Sequence, residues 1–419
     1  MKSKSIVCVS LFVALSSLMA CSQPAPVAKT FTVSNSHTQA FTDVPLVLSR
    51  QQVENKLGKL NDNEHLSLLA NSVLLSSQLD DLDQDGSWDE LAFLINIDAA
   101  SQQVVELRVS ENAKPVSKEA FRTNIQIGKF TNEDKNAIEE LTSLQRFSQG
   151  LEEGSSRQYQ MEGPAWENDN IGFRLYFDER NGFDIFGKTS TDMVLGRVGI
   201  NQNYHERQTW GMDILKVGRS LGSGALAFSS QNGEAQSLIR LSGAESTAVN
   251  IISEGPVRSI FSLNYQNLPV AAQSIQLTQR LSIWAGQHYY SAHITIDQPL
   301  HADLGVGIVN FHSLEAKQSL SETHAILSTF GEQAEEATLL GMAVVSERSQ
   351  HTGFGSVGET PEGIEHSYFS LHNMSLAQEL SYDFYSVWQV GTPSINSAED
   401  FQELIEQDQS RKLAITLGM

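Results

Sequence analysis

Residues 163–188 string polar and titratable side chains along a period of two. From position 171 the apolar Ile171, Phe173, Leu175 and Phe177 alternate with Gly172, Arg174, Tyr176 and Asp178, and a period of two sends the two sets to opposite faces of a strand. One face is core; the other carries Arg, Tyr and Asp. Trp166, Glu167, Asn168 and Asp169 stand just before this run, and Lys188 follows a second short apolar stretch. A further cluster, 203–218, gathers Tyr204, His205, Glu206, Arg207, Trp210, Asp213 and Lys216 with two glycines in one loop. Such residue types suit proton transfer near neutral pH, with His205 as base and a tyrosine or shifted carboxyl as acid, and Trp166 and Trp210 offer flat faces on which sugars stack. His293 shares a strand face with Tyr289, Ser291 and Thr295 and is the second base candidate. The plainer alternatives are a solvated sheet face and histidines that only hydrogen-bond.

Asp81, Asp83, Asp85 and Asp89, with Gly86 between them, repeat the alternate oxygen ligands and sharp turn with which a short loop wraps a hard cation, and calcium is the natural guess. Ala92 stands where the helix-loop-helix version needs a twelfth ligand. A metal-free Asp/Gly hairpin is the competing expectation. No His-Glu-x-x-His is present, so zinc proteolysis has no support.

The elements that must position these groups are mostly strands. Alternating runs fall at 66–75, 91–97, 103–109, 171–177, 225–228, 237–241, 257–265, 275–284, 289–296, 305–311, 324–330, 339–345, 366–371 and 380–390, with turn residues between them. Many short strands at this spacing predict sandwich packing. A short helix is expected near 51–60, a helix or long connection over 132–147, and a helix capped by Ser397 over 398–407, followed by a last short strand.

Lys2 and Lys4 precede an apolar run that ends in Leu18-Met19-Ala20-Cys21. This predicts a secretory signal of residues 1–20 that resembles the lipoprotein kind, with Cys21 as the lipidated first residue and Ser22 directing the protein to the outer membrane of a Gram-negative cell, facing the periplasm or the surface; a plain signal peptide is the alternative. Residues 21–40, rich in Ser, Thr, Pro and Ala, predict a flexible tether, and 41–419 one large domain with a small β subregion at 41–130. Cys8 and Cys21 are the two cysteines, so the processed chain has no thiol for catalysis, disulfides or zinc. The formal charge is −22, and −24 once Lys2 and Lys4 leave with the signal. That balance argues against nucleic acid and leaves room for an anionic small substrate where cations gather.

The stretch from Gly163 through Trp166, Glu167 and Asn168 to Arg174, with Tyr176 and Gly187-Lys188, resembles the signature of the domain of unknown function 4861 (DUF4861) family. Trp210-Gly-Met-Asp213-Ile-Leu-Lys-Val-Gly218 and Ser253-Glu-Gly-Pro-Val-Arg258 extend the likeness over nearly all of the chain past the signal. The resemblance implies a lipoprotein of polysaccharide breakdown, of ulvan or pectin type. It implies an all-β fold, a large antiparallel β-supersandwich similar to galactose mutarotases and polysaccharide lyases, with few short helices. The activity it suggests is an oligosaccharide dehydratase that eliminates water across C4 and C5 of a terminal uronate. Arg174 would then grip the carboxylate, with Lys188 adding charge; His205 would be the base and Tyr176 the acid. Glu167, Asn168 and Asp213 would bind substrate beside Trp166, Trp210 and His293. Calcium is the one expected cofactor, and the partners are an acidic oligosaccharide and, through the lipid, a membrane. A hydrolase or lyase on the same sugars and a non-catalytic glycan-binding lipoprotein are the alternatives.

Overall fold

The computed structural model describes residues 28–61, 64–110, 116–148, 154–232, 235–375 and 377–419. Its centre is a nine-stranded antiparallel sheet, ordered Ser143–Phe147, Ser246–Ser253, Arg258–Val270, Gln273–Trp284, Tyr289–Ile296, Glu379–Trp388, Thr338–Glu347, His324–Ala334 and Lys317–Leu320. The alternation is plain in Gln273–Trp284, where Ile275, Leu277, Leu281 and Ile283 are buried between the partly exposed Gln276, Thr278, Arg280 and Ser282. Two five-stranded sheets share the core of this large sheet. One runs Gly211–Asp213, Phe183–Lys188, Ile171–Leu175, Ala165–Asn168, Thr123–Gln126; the other Ala235–Arg240, Ser223–Asn232, Asp303–Val309, Ser367–Asn373, His351–Val357. Trp166 and Phe173 of the first lie against Phe261 and Tyr290 of the large sheet, with ring centroids 4.9 to 5.4 Å apart. The fold is therefore an all-β sandwich, with its two shorter sheets meeting at Gly222. There φ is +63° and a Cβ would lie 1.9 Å from the Phe183 carbonyl oxygen, so only glycine fits.

A smaller sandwich stands beside the large one. Its five-stranded sheet runs Ile415–Gly418, Ala28–Asn35, Ser101–Ser110, His65–Ala70, Val73–Leu74 and faces a three-stranded one of Phe41–Ser49, Glu90–Ile97 and Ser77–Asp80. Phe31, Val33, Leu68 and Leu107 pack there with Leu48, Leu91 and Phe93. The expected short helix is Arg50–Leu57, started by a Ser49 and Gln52 capping box. Buried contacts join the two bodies: Arg258 pairs with Asp80 and with Glu90 (2.7 Å). The tether expected through residue 40 ends earlier, since Ala28–Asn35 is a strand hydrogen-bonded on both edges. The small subregion is built from 28–110 and 415–418 rather than from 41–130. Residues 132–147 hold two short strands, Ile138–Glu140 and Ser143–Phe147, and no helix. The last helix extends to Ala414, seating Phe401 and Ile405 on the outer face of the nine-stranded sheet. Residues 1–20 and Cys21 lie outside the described residues.

Candidate functional site

The polar face of Ile171–Leu175 is not a wet face. Antiparallel register sets Arg174 opposite Asp184 and Phe186 opposite Asp213, so Arg174, Asp184 and Asp213 point the same way from three adjacent strands. Residues 189–210 cover them with Val194, Leu195, Val198 and Trp210, which pack on Phe186 and Met161. Gly211 closes that segment at φ +133°, where a Cβ would lie 1.8 Å from the Gly187 carbonyl oxygen.

Arg174 is 1 % exposed. Its Nε and Nη2 donate to Asp184 Oδ2 (2.9 and 2.6 Å), Nη2 also to Asp213 Oδ2 (2.7 Å) and Tyr176 Oη (2.6 Å), and Nη1 to Tyr204 Oη (3.1 Å). Tyr176 Oη donates to Asp184 Oδ2 at 2.7 Å. The expected clamp on a substrate carboxylate is thereby corrected: the guanidinium is already spent on two protein carboxylates and two phenols. Burial, and then Asp213, raise the Asp184 carboxyl to about 6 against the pull of Arg174. Burial likewise pushes the Tyr176 phenol well above its ordinary value, helped by the Asp184 charge.

His205 stands at the edge of this buried group with its side chain 63 % exposed and Nδ1 3.2 Å from Asp213 Oδ2. The hydrogen bond to Asp213 raises its pKa above that of a free imidazole. Its ring lies on Tyr204, centroids 4.5 Å apart. Tyr176, His205, Asp213, Leu215, Lys216, Val217 and Glu335 line one cavity of about 310 Å³. Of the expected site residues, Arg174, Tyr176, His205 and Asp213 thus come together, three of them on the cavity wall. With Nδ1 turned to a buried carboxylate, Nε2 of a neutral His205 is left to accept a proton.

The other expected contacts are corrected by burial. Trp166 is 0 % exposed and belongs to the core, and Trp210 sits against Phe186 under its own loop; neither ring has a face for a sugar. Lys188 Nζ is buried on Glu167 Oε2 (2.7 Å) and the Asn168 carbonyl (2.6 Å). Glu167 Oε1 accepts from the Val194 and Leu195 amides at 2.7 and 2.8 Å, which fastens the covering segment. Asn168 donates to the Trp284 and Gln287 carbonyls. These three groups hold the scaffold. His293 lies on the opposite face of the nine-stranded sheet from the core, bonded to Ser381 (2.9 Å), in a different cavity.

Asp184 and Glu335 were not singled out by sequence reasoning, and Lys216 was noted only as a member of the 203–218 cluster, with no role of its own. Asp184 could have been, because it alternates with Phe183 and Ile185, which both enter the core. Glu335 comes from a turn beyond His324–Ala334 and carries no local signal. In the acidic loop, carboxylate oxygens of Asp81, Asp83 and Asp89 lie within 4.8 Å of one another. Asp85 is outside that group and accepts instead from the Ser87 amide (2.8 Å). Asp81 and Asp89 also accept loop amides.

Over residues 33–415 the chain matches the family described as "Domain of unknown function (DUF4861)". The chain belongs to that family. No curated protein matches this DUF4861 chain in sequence. Among solved structures it is similar to an alpha-mannosidase from Enterococcus faecalis V583 (8 % identity, TM-score 0.44) and to a protein in the glycosyl hydrolase family 38 from Enterococcus faecalis (8 %, 0.45). The alignments cover 94 % and 93 % of this chain, and the chain spans about half the length of each, 46 % and 47 %.

Proposed function

We propose that this protein is a carbohydrate-active enzyme on uronate-containing oligosaccharides, and that it eliminates water to leave a 4,5-unsaturated uronate. The observation that carries this is His205, held through Nδ1 by the buried Asp213, sharing a cavity with Tyr176 and the exposed Lys216. Lys216 takes over the task first expected of Arg174 and Lys188: its ammonium pairs with the uronate carboxylate and makes the C5 hydrogen more acidic. His205 Nε2 removes that proton; the C5–H electron pair forms the C4=C5 bond as the C4–O bond breaks. Tyr176 turns its proton from Asp184 to the departing oxygen, so water leaves, and Arg174 at 2.6 Å steadies the phenolate. His205 returns its proton to solvent, and Tyr176 is reprotonated for the next turnover.

Hydrolysis is the second reading, favoured by Asp213 and Glu335 on one cavity wall, since glycosidases work with paired carboxyls. The burial of Trp166 and Trp210 removes the aromatic platform on which a purely glycan-binding role would rely. Purified protein incubated with saturated and unsaturated uronate oligosaccharides separates these cases. New C4=C5 absorbance at constant chain length is the expected result. Absorbance gained with shortening means a lyase, and sugar release without it a hydrolase. No change across the panel removes the enzyme reading.

A further inference from the structure

The segment that lines the His205 cavity continues directly into a second one. Asp213, Leu215, Lys216 and Val217 border the first, and the next two residues, Gly218 and Arg219, border a cavity of about 390 Å³ with Arg180, Arg240, Ser242 and Glu365. Tyr176 is the partition: it lines the first cavity, and its ring lies 4.0 Å from Cζ of Arg180, which lines the second.

Three guanidinium groups in one concavity repel one another and favour an anion among them. Two have carboxylate partners. Arg180 holds Asp178 (2.6 Å) and Glu162 (3.1 Å), and Arg219 holds Glu365 (2.5 Å). Arg240 has none among the described residues; its Nη atoms donate only to the backbone carbonyls of Arg180, Arg219 and Ser220. Burial first, and then Arg180 and Arg219, lower its pKa to about 10 against the opposing charges of Asp178 and Glu179. Glu179 and Glu365 also border the cavity, and Glu365 is already committed to Arg219.

We infer that the Arg180, Arg219 and Arg240 cavity is a second subsite, which takes an oxyanion, a carboxylate or sulfate half-ester, on the sugar adjoining the one that reacts beside His205. This rests on the reading of the first cavity as a uronate site, and it makes the preferred substrate an acidic chain of two or more sugars rather than a free uronate. A guanidinium grips either oxyanion through paired hydrogen bonds.

Equilibrium binding tests it without turnover. The probes are free glucuronate and uronate-containing di- and trisaccharides, with and without a sulfate half-ester, titrated calorimetrically into His205→Ala protein. The longer probes should bind at least about tenfold more tightly than the monosaccharide, the order expected of one charge-assisted hydrogen bond. Adding Arg240→Gln should erase that increment while leaving the monosaccharide affinity in place, and Arg240→Lys should restore part of it. Because Arg240 also braces three carbonyls, a variant that leaves it intact is included: Ser242→Asp, at an exposed rim position, should weaken only the longer probes. Whichever of the sulfated and unsulfated arms gains more names the oxyanion. Equal affinity for all lengths, no binding of any probe, or full retention of the increment in both Arg240→Gln and Ser242→Asp overturns the subsite. Length-dependent binding that needs Arg240, in a wild type that turns nothing over, keeps the subsite and sinks the dehydratase reading instead.

Discussion

At the scale of single residues, His205 should report on chemistry alone and Arg174 on chemistry and stability together. His205 is mostly exposed, so His205→Ala should leave stability within about 0.5 kcal/mol while turnover falls by roughly 10²–10⁴-fold, the usual contribution of a placed proton acceptor. Only the neutral ring accepts a proton. Activity should therefore fall as pH drops through the His205 pKa, with a midpoint above that of free imidazole because Asp213 favours the protonated form. Near wild-type turnover in His205→Ala would clear this residue of any part in the reaction. Arg174→Ala should lower stability as well as turnover, since it removes the donor to Tyr176 and leaves Asp184 and Asp213 buried without their cation; the expected cost is about 3–5 kcal/mol, read by denaturant unfolding. A variant of wild-type stability would show that the cluster does not depend on it. The alternation through Arg174 and Tyr176 was legible in the sequence and gives the correct face. That the face is covered was not, because the cover comes from residues 189–210 and its anchor is the Glu167 carboxylate rather than any pattern within the cover. Trp166 was misjudged although the hairpin register pairs it with Phe173 and so sends it inward.

At the scale of elements, the covering segment is held at its start by Glu167 and at its end by Gly211. Glu167→Ala should speed hydrogen exchange at the Val194 and Leu195 amides and lower turnover while leaving His205 itself untouched. Unchanged protection at those two amides would mean that packing of Val194, Leu195 and Val198 suffices. The acidic loop supports a separate test. Calcium held by Asp81, Asp83 and Asp89 should raise the melting temperature by mass action, and Asp83→Asn should abolish the response; a melting temperature indifferent to chelator removes calcium from this loop. Period-two patterns located most strands, Tyr289–Ile296 to the residue. Others escaped, among them Phe41–Ser49, Ser246–Ser253 and His351–Val357, and two regions show why. Ala28–Asn35 reads as tether because Thr and Ser fill the positions around Phe31 and Val33, although Thr is a good strand former. The strands inside 132–147 have three and five residues, too short for a period to declare itself.

At the scale of the whole molecule, the all-β sandwich agrees with the expectation from strand spacing, whereas the bounds of the smaller body, which takes in Ala28–Asn35 and Ile415–Gly418, do not follow from any local pattern. The lipid anchor at Cys21 remains our proposal: Cys21→Ser should move the protein from the membrane fraction to the soluble one, and a variant still sedimenting with membranes excludes it. The pairing of Thr32 with Gly418 and Asn35 with Ile415 has a bearing on the order of events during synthesis. Ala28–Asn35 can join Ser101–Ser110 early, but its other edge waits for more than three hundred further residues to be made. Until Ile415–Gly418 arrives, that edge is an open row of amides and carbonyls, the kind of template on which neighbouring nascent chains pair wrongly. A chain stalled just short of its final strand should thus be the form most prone to aggregate, even though nearly all of the large sandwich is already made.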